Sequence, residues 1–174
     1  MENWQRQYEQ WRNAPGIDAD TREELSSIRG DQKEIEERFY RELEFGTAGL
    51  RGILGAGTNR MNVYVVRRAS QGLADYLSSI EGAKARGVCI AYDSRNFSAE
   101  FARQTAMTLA ANRIKVYLFE SLRSVPQLSF TLRRLNCMAG VVVTASHNPR
   151  QYNGFKVYWE HGGQVAPDQA ADIY

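Results

Sequence analysis

Only two cysteines and two histidines occur in the 174 residues, Cys89, Cys137, His147 and His161, and they lie far apart. That scatter lacks the closely paired ligands of a zinc site. No apolar run approaches the length that crosses a membrane. The opening MENWQRQYEQWR is polar and has no secretion-signal core. Both cysteines sit in apolar, strand-like runs, so buried free thiols are expected rather than a disulfide. An excess of one charge is missing too, since Lys+Arg 22 against Asp+Glu 20 leaves a net charge of +2. Such balance does not build the concentrated basic face of a nucleic-acid binder. No internal repeat, low-complexity tract or inter-domain linker is visible. These absences lead to the expectation of a cytoplasmic protein without membrane or nucleic-acid partners. Asn96-Phe97-Ser98 fits a glycosylation acceptor, a pattern that is common by chance and unused in the cytoplasm.

What is present suits one globular domain with a real core: 43% of residues are hydrophobic and 24% charged. Residues 1–41 read as a helical extension. Trp4, Tyr8 and Trp11 share one helix face, Asp20 or Thr21 is placed to cap a second helix, and Asp31 precedes a third with Ile35, Phe39 and Leu43 four apart. These stripes read as core packing. Residues 45–62, FGTAGLRGILGAGTNRMN, carry five glycines, which implies bends or close backbone approach. Asn62 is placed to cap a helix over VYVVRRASQGLADYLSSI. From Gly87 the pattern alternates strand, helix, strand, helix, strand, through GVCIAYD, AEFARQTAMTLAANR, KVYLFE, PQLSFTLRRL and MAGVVVTA. That order predicts an α/β fold, a three-layer α/β/α sandwich on a mainly parallel sheet. The link from VVVT to GFKVYW is too short for a helical crossover, so this last pair should be antiparallel and the sheet mixed. PDQAADIY reads as the first turns of a helix, and the expectation is a fragment of a longer protein.

Ligands of open α/β sheets collect at the carboxyl ends of strands. Three such ends carry chemistry here: Asp93-Ser94-Arg95; Ser121, Arg123 and Ser124; and Thr144, Ser146, His147 and Asn148. The glycine-rich segment with Arg51 could fold over the crevice between them. Ser146 is the nucleophile candidate, and a serine needs a base, a positive field or a metal to react. His147 is its chain neighbour, and neighbours on an extended chain point to opposite sides, so a bound anion suits His147 better than a triad role. Pro149 and Gly154 shape the loop, Asn148 and Asn153 suit turn positions, and Lys156 returns toward Ser146 on the next strand. A serine ringed by His, Lys and Arg suits phosphate better than an acyl group, since phosphoryl transfer depends on positioning and charge stabilisation. The default alternative is an ordinary turn serine. A serine hydrolase is disfavoured because the serine lies in A-S-H rather than G-x-S-x-G. A dinucleotide site is weak, with two of three glycines in Gly55-Ala56-Gly57-Thr58-Asn59-Arg60.

TASHNPRQYNGFK, residues 144–156, resembles at thirteen positions the phosphoserine loop of the α-D-phosphohexomutases, the phosphoglucomutases and phosphomannomutases. ELEFGTAGLRG at 42–52 and AYDSR at 91–95 resemble two further elements of that family's first domain, and the FGTAGLRG form is similar to its phosphoglucomutase/phosphopentomutase branch. The resemblance implies that residues 42–174 are domain I of a four-domain enzyme. It also implies a phosphate on Ser146, handed to a sugar monophosphate and recovered from the resulting bisphosphate. Arg51, His147 and Lys156 would surround the phosphoserine, with Lys156 and His147 assisting proton transfer. Thr47, Asn148 and Arg95 would serve phosphate or substrate binding, Arg95 alternatively as a structural bridge. Mg²⁺ would be held partly through the Ser146 phosphate, with glucose 1,6-bisphosphate as activator. The family's D-G-D-x-D-R metal loop and its sugar-selecting G-E-x-S-G loop are absent from these residues, so the isolated domain should have little turnover. Interconversion of glucose 1-phosphate and glucose 6-phosphate is the implied reaction. The alternatives are a pentose or mannose phosphate, or a non-catalytic phosphosugar-binding module.

Overall fold

The computed structural model of the chain describes residues 2–46 and 49–173. Three helices lead, α1 (Asn3–Asn13), α2 (Ala19–Ser27) and α3 (Gln32–Phe39). There follow β1 (Gly49–Ile53), α4 (Val63–Ser78), α5 (Ala83–Arg86), β2 (Val88–Tyr92), α6 (Ser98–Ala111), β3 (Val116–Leu118), α7 (Val125–Arg134), β4 (Ala139–Val143), β5 (Tyr152–Trp159) and α8 (Pro167–Ile173). Asp31 and Asn62 cap their helices as expected, accepting from the backbone N–H of Glu34 and Val65. The cap of α2 is Asp18 rather than Asp20 or Thr21, because its carboxylate takes both the N–H and the hydroxyl of Thr21. Helix α3 stops at Phe39, short of Leu43. The Leu43 N–H leaves the helical ladder for the carbonyl of Thr58, and its side chain joins the core beside the sheet.

The five strands form one mixed sheet in the order β1-β5-β4-β2-β3. Pairings β2–β3 and β2–β4 are parallel, β4–β5 and β1–β5 antiparallel. The antiparallel return of β5 agrees with the shortness of its connection. The parallel share is smaller than expected because the glycine-rich segment does not fold over the crevice: it supplies the edge strand β1. Gly49 shows why this segment needs glycine. A Cβ there would lie 1.8 Å from the Phe155 carbonyl oxygen, and its φ of +146° suits only glycine.

Strand alternation sends side chains to two helical layers. Val88, Ile90, Val141, Val143, Phe155 and Val157 pack with α4, α6 and α8, while Cys89, Ala91, Val142 and Tyr158 pack with Leu128 and Leu132 of α7. Cys89 and Cys137 are buried free thiols, and burial pushes the Cys89 thiol up to about 12. The leading helices enclose a third cluster of Tyr8, Leu25, Ile35, Phe39 and Ala56. Arg38 pairs with Glu24 and Glu34 and donates to the Ala56 carbonyl, and the buried Arg60 pairs with Glu34 and Glu37. Those contacts fasten residues 55–60, and so the entry to α4, onto the helical extension.

Gly49→Ala is expected to lower the unfolding free energy by at least about 2 kcal/mol, combining strained backbone with overpacking against β5. Denaturant titration measures this, and an unchanged midpoint would mean that β1 tolerates a wider approach.

Candidate active site

Strand β4 carries the buried Thr144 and Ala145 up to the exposed Ser146. Ser146 adopts φ +55°, the left-handed region that costs a non-glycine residue roughly 1–2 kcal/mol. Several local bonds hold it there. Its N–H donates to Thr144 Oγ1 at 2.9 Å, and Asn148 N–H donates to the Ala145 carbonyl at 3.1 Å. The loop closes as Tyr152 N–H meets the Pro149 carbonyl at 3.0 Å and Thr144 N–H meets the Gly154 carbonyl at 3.0 Å. Gly154 permits this closure, since a Cβ would meet the Thr144 carbonyl at 2.5 Å and the Leu50 carbonyl at 2.9 Å. Asn153 is fully buried, and its Oδ1 accepts from the Gly154 N–H at 2.8 Å. Its amide donates at 2.9 Å to the Asn96 carbonyl and to Ser98 Oγ, joining the end of β5 to the loop after β2.

Register then gathers the cations. Lys156 stands opposite Gly49 of β1, and Arg51 opposite Gly154 of β5, so both side chains leave the same face two residues apart. Lys156 Nζ donates to Ser146 Oγ at 2.8 Å, and Arg51 Nη1 donates to Asn148 Oδ1 at 3.3 Å. Burial first, and then the charge of Arg51, hold Lys156 below the ordinary lysine value, while Asp93 opposes the shift. A lysine so placed can take the Ser146 proton or face a phosphate on that oxygen.

The other expected residues are placed as follows. His147 is exposed beside Ser146, and its side chain makes no hydrogen bond among the described residues. Thr47 lies outside the described residues. Of the two roles expected of Arg95, the geometry favours the structural bridge over phosphate binding. Its Nη1 donates to the carbonyls of Pro149 and Tyr152, its Nη2 to those of Ser146 and Asn148, and its Nε faces Asp93 Oδ2 at 3.3 Å. A guanidinium engaged on every side has no donor left for a substrate phosphate. The third strand end also stays apart, with Arg123 folded onto Ser121 and the Leu122 carbonyl, and Ser124 capping α7.

A cleft of about 530 Å³ lies between the two remaining strand ends, lined by Asp93, Ser94, Arg95, Asn96, Ser146, Asn148 and Arg150. From sequence, Thr144 and Asp93 are only polar residues at strand ends and Asn153 a turn residue; their supporting contacts are seen only in the structure. Thr144, two residues before Ser146, had a visible signal in the hydroxyl-to-backbone turns such residues make. Asn153 reads from sequence as a turn residue, and its Oδ1 does accept from the adjacent Gly154 N–H, but its bonds to Asn96 and Ser98 have no sequence signal because those partners lie more than fifty residues away. Among the described residues no group of three His, Cys, Asp or Glu side chains could hold a metal ion. The cleft carboxylate of Asp93 is engaged by Arg95 and Ser98 Oγ. The donor set fits one contribution to a metal, an oxygen carried on Ser146.

Residues 42–174 match the family profile described as phosphoglucomutase/phosphomannomutase, alpha/beta/alpha domain I. The chain belongs to this family. A Staphylococcus epidermidis phosphoglucomutase is 45% identical over 141 residues, 81% of this chain and 26% of that protein. Among solved structures, a Thermus thermophilus protein assigned as a phosphomannomutase superposes with a TM-score of 0.70 at 32% identity, covering 76% of this chain and 29% of that one. Parafusin from Paramecium, a phosphoglucomutase in its open form, gives a TM-score of 0.64 at 25% identity over 78% of this chain and 25% of its own. The chain thus spans about a quarter of the length of the phosphoglucomutases it matches. Its phosphohexomutase motifs, TASHNPRQYNGFK and FGTAGLRG, fall within the matched residues.

The charge of Arg51 disfavours the protonated Lys156, so Arg51→Gln should raise the Lys156 pKa part-way back, leaving the burial contribution in place. Folding lowers this pKa, so the Lys156 charge opposes folding below the folded value, and that opposition fades as pH rises through it. NMR titration of the lysine side chains measures the shift, and a Lys156 midpoint indifferent to Arg51→Gln would refute the coupling.

Proposed function

We propose that this chain supplies the phosphate-carrying serine of an enzyme that interconverts glucose 1-phosphate and glucose 6-phosphate. The observation that carries the reading is the 2.8 Å bond from Lys156 Nζ to Ser146 Oγ at the tip of a family-typical loop. In the first half-reaction the free hydroxyl of a sugar monophosphate attacks the phosphorus on Ser146. The new phosphorus–oxygen bond forms as the bond to Oγ breaks. The sugar hydroxyl gives up its proton, for which the exposed His147 is the available side chain, and Oγ regains a proton from the Lys156 ammonium. The bisphosphate then turns around. Ser146 Oγ attacks its other phosphorus as the bond from that phosphorus to the sugar oxygen breaks, with Lys156 taking the serine proton and the sugar oxygen recovering the proton held on His147. Arg51 faces the charge that gathers at the loop.

A Mg²⁺ held in part by the Ser146 phosphate would neutralise that charge; the described residues offer it no cluster of three His, Cys, Asp or Glu side chains. Glucose 1,6-bisphosphate is the activator of the proposed cycle, because it charges an empty Ser146. With a quarter of a relative's length, the isolated domain should fold without appreciable mutase turnover.

Incubation of the full-length protein with glucose 1,6-bisphosphate should add one phosphate by intact mass, and Ser146→Ala should abolish the gain. A wild-type protein that gains none would favour a non-catalytic phosphosugar-binding module. Robust turnover by the 174-residue chain alone would overturn the inactivity of the isolated domain.

A further inference from the structure

We infer that Arg95 is a positioning residue that sets the reactivity of Ser146 without touching substrate, an inference that rests on Ser146 being the phosphate carrier. The guanidinium gathers four carbonyls of one loop: Ser146 at 2.7 Å, Asn148 at 2.6 Å, Pro149 at 3.0 Å and Tyr152 at 3.1 Å. Four carbonyl dipoles aimed at one point repel one another unless a cation with several donors sits there, and the planar guanidinium supplies two N–H groups on each terminal nitrogen. The side chain of Arg95 is only 15% exposed: it borders the cleft, but its donors turn to the loop carbonyls and Asp93 rather than to the open space. Asp93 fixes it from behind, accepting in turn from Ser98 Oγ at 2.7 Å and from the Arg95 N–H at 3.0 Å.

Two consequences bear on Ser146. Its carbonyl is one of the four, so the clamp holds the residue's own peptide while φ is +55°, and this fixes the direction of Oγ toward Lys156. The same peptide is trans, so drawing its oxygen to Arg95 turns the His147 N–H to the opposite face. That N–H meets no protein acceptor among the described residues and is left for an anionic oxygen. Arg95 thereby orders both the nucleophile and a backbone donor beside it.

The test uses the full-length protein with Arg95→Ala and Arg95→Lys, and Arg103→Gln on the exposed face of α6 as control. Misplacing a reacting group by about 1 Å costs on the order of 100-fold, so kcat of Arg95→Ala should fall by roughly that factor. KM should stay within about twofold, as for loss of an interaction that does not bind substrate. The rate at which Ser146 gains phosphate from glucose 1,6-bisphosphate should fall in parallel with kcat. Added guanidinium should restore part of the rate to Arg95→Ala, whereas Arg95→Lys, with a point charge in place of a fork, should remain impaired. Unchanged kcat in Arg95→Ala would overturn the inference. So would a raised KM at unchanged kcat, the signature of a substrate-phosphate ligand. Loss of folding in both variants would assign Arg95 to the fold alone and overturn it as well. Failure of the wild-type protein to take up phosphate sinks the parent reading instead, and is distinguished by appearing without any substitution.

Discussion

The hydrogen bond from Lys156 to Ser146 depends on β5 running back antiparallel beside β4. The strand that presents the serine and the strand that presents the lysine are the two arms of one turn, so their separation is set by backbone hydrogen bonds rather than by flexible side chains. Strand β1 then adds to the other side of β5 and brings Arg51 to the same face. Glycine at 49 and 154 lets the three backbones close to these distances, since a Cβ at either position would meet a carbonyl oxygen of a neighbouring segment. The chemistry is therefore anchored in the sheet, with only the aim of Ser146 left to the loop.

The electrostatics of this corner are set against its cations until an anion arrives. Lys156 is half-buried and faces the charge of Arg51, and both effects disfavour its protonated form. A phosphate on Ser146 would supply the opposite charge and favour that form again. A group whose proton affinity would rise with phosphate on the adjacent oxygen and fall without it is suited to exchange a proton with Oγ. Asp93 takes part at one remove, pulling the Lys156 pKa up while pairing with Arg95.

The helical extension reaches the site through the chain that leads out of β1. Arg38 and Arg60, paired with Glu24, Glu34 and Glu37, hold residues 55–60 against the three leading helices. The same turn carries Asn62, whose amide donates to the carbonyls of Gly55 and Gly57 and whose oxygen caps α4. Strand β1 thus runs from the site directly into a segment that the extension fixes, and the extension's contribution to the site is mechanical.

Much of this was legible locally. Alternation of strand and helix from Gly87, the caps at Asp31 and Asn62, and the shortness of the link between β4 and β5 required only propensity, spacing and turn geometry. Ser146 and Lys156 were legible as a pair because the loop that joins them is short. The glycine-rich segment was not, since five glycines announce close approach without naming what is approached, and only the sheet order shows that it is β5. The same holds for Arg95, for which the sequence left open an anion ligand or a structural bridge. Its partners belong to a loop more than fifty residues along, and only packing reveals that four carbonyls use its donors. Sequence alone determined which elements form and that Ser146 and Lys156 stand at the two arms of one short loop, because periodicity and turn chemistry act over a few residues. Tertiary structure decided which cation reaches Ser146 Oγ and which is engaged in holding its loop, because those outcomes depend on register and packing between distant segments.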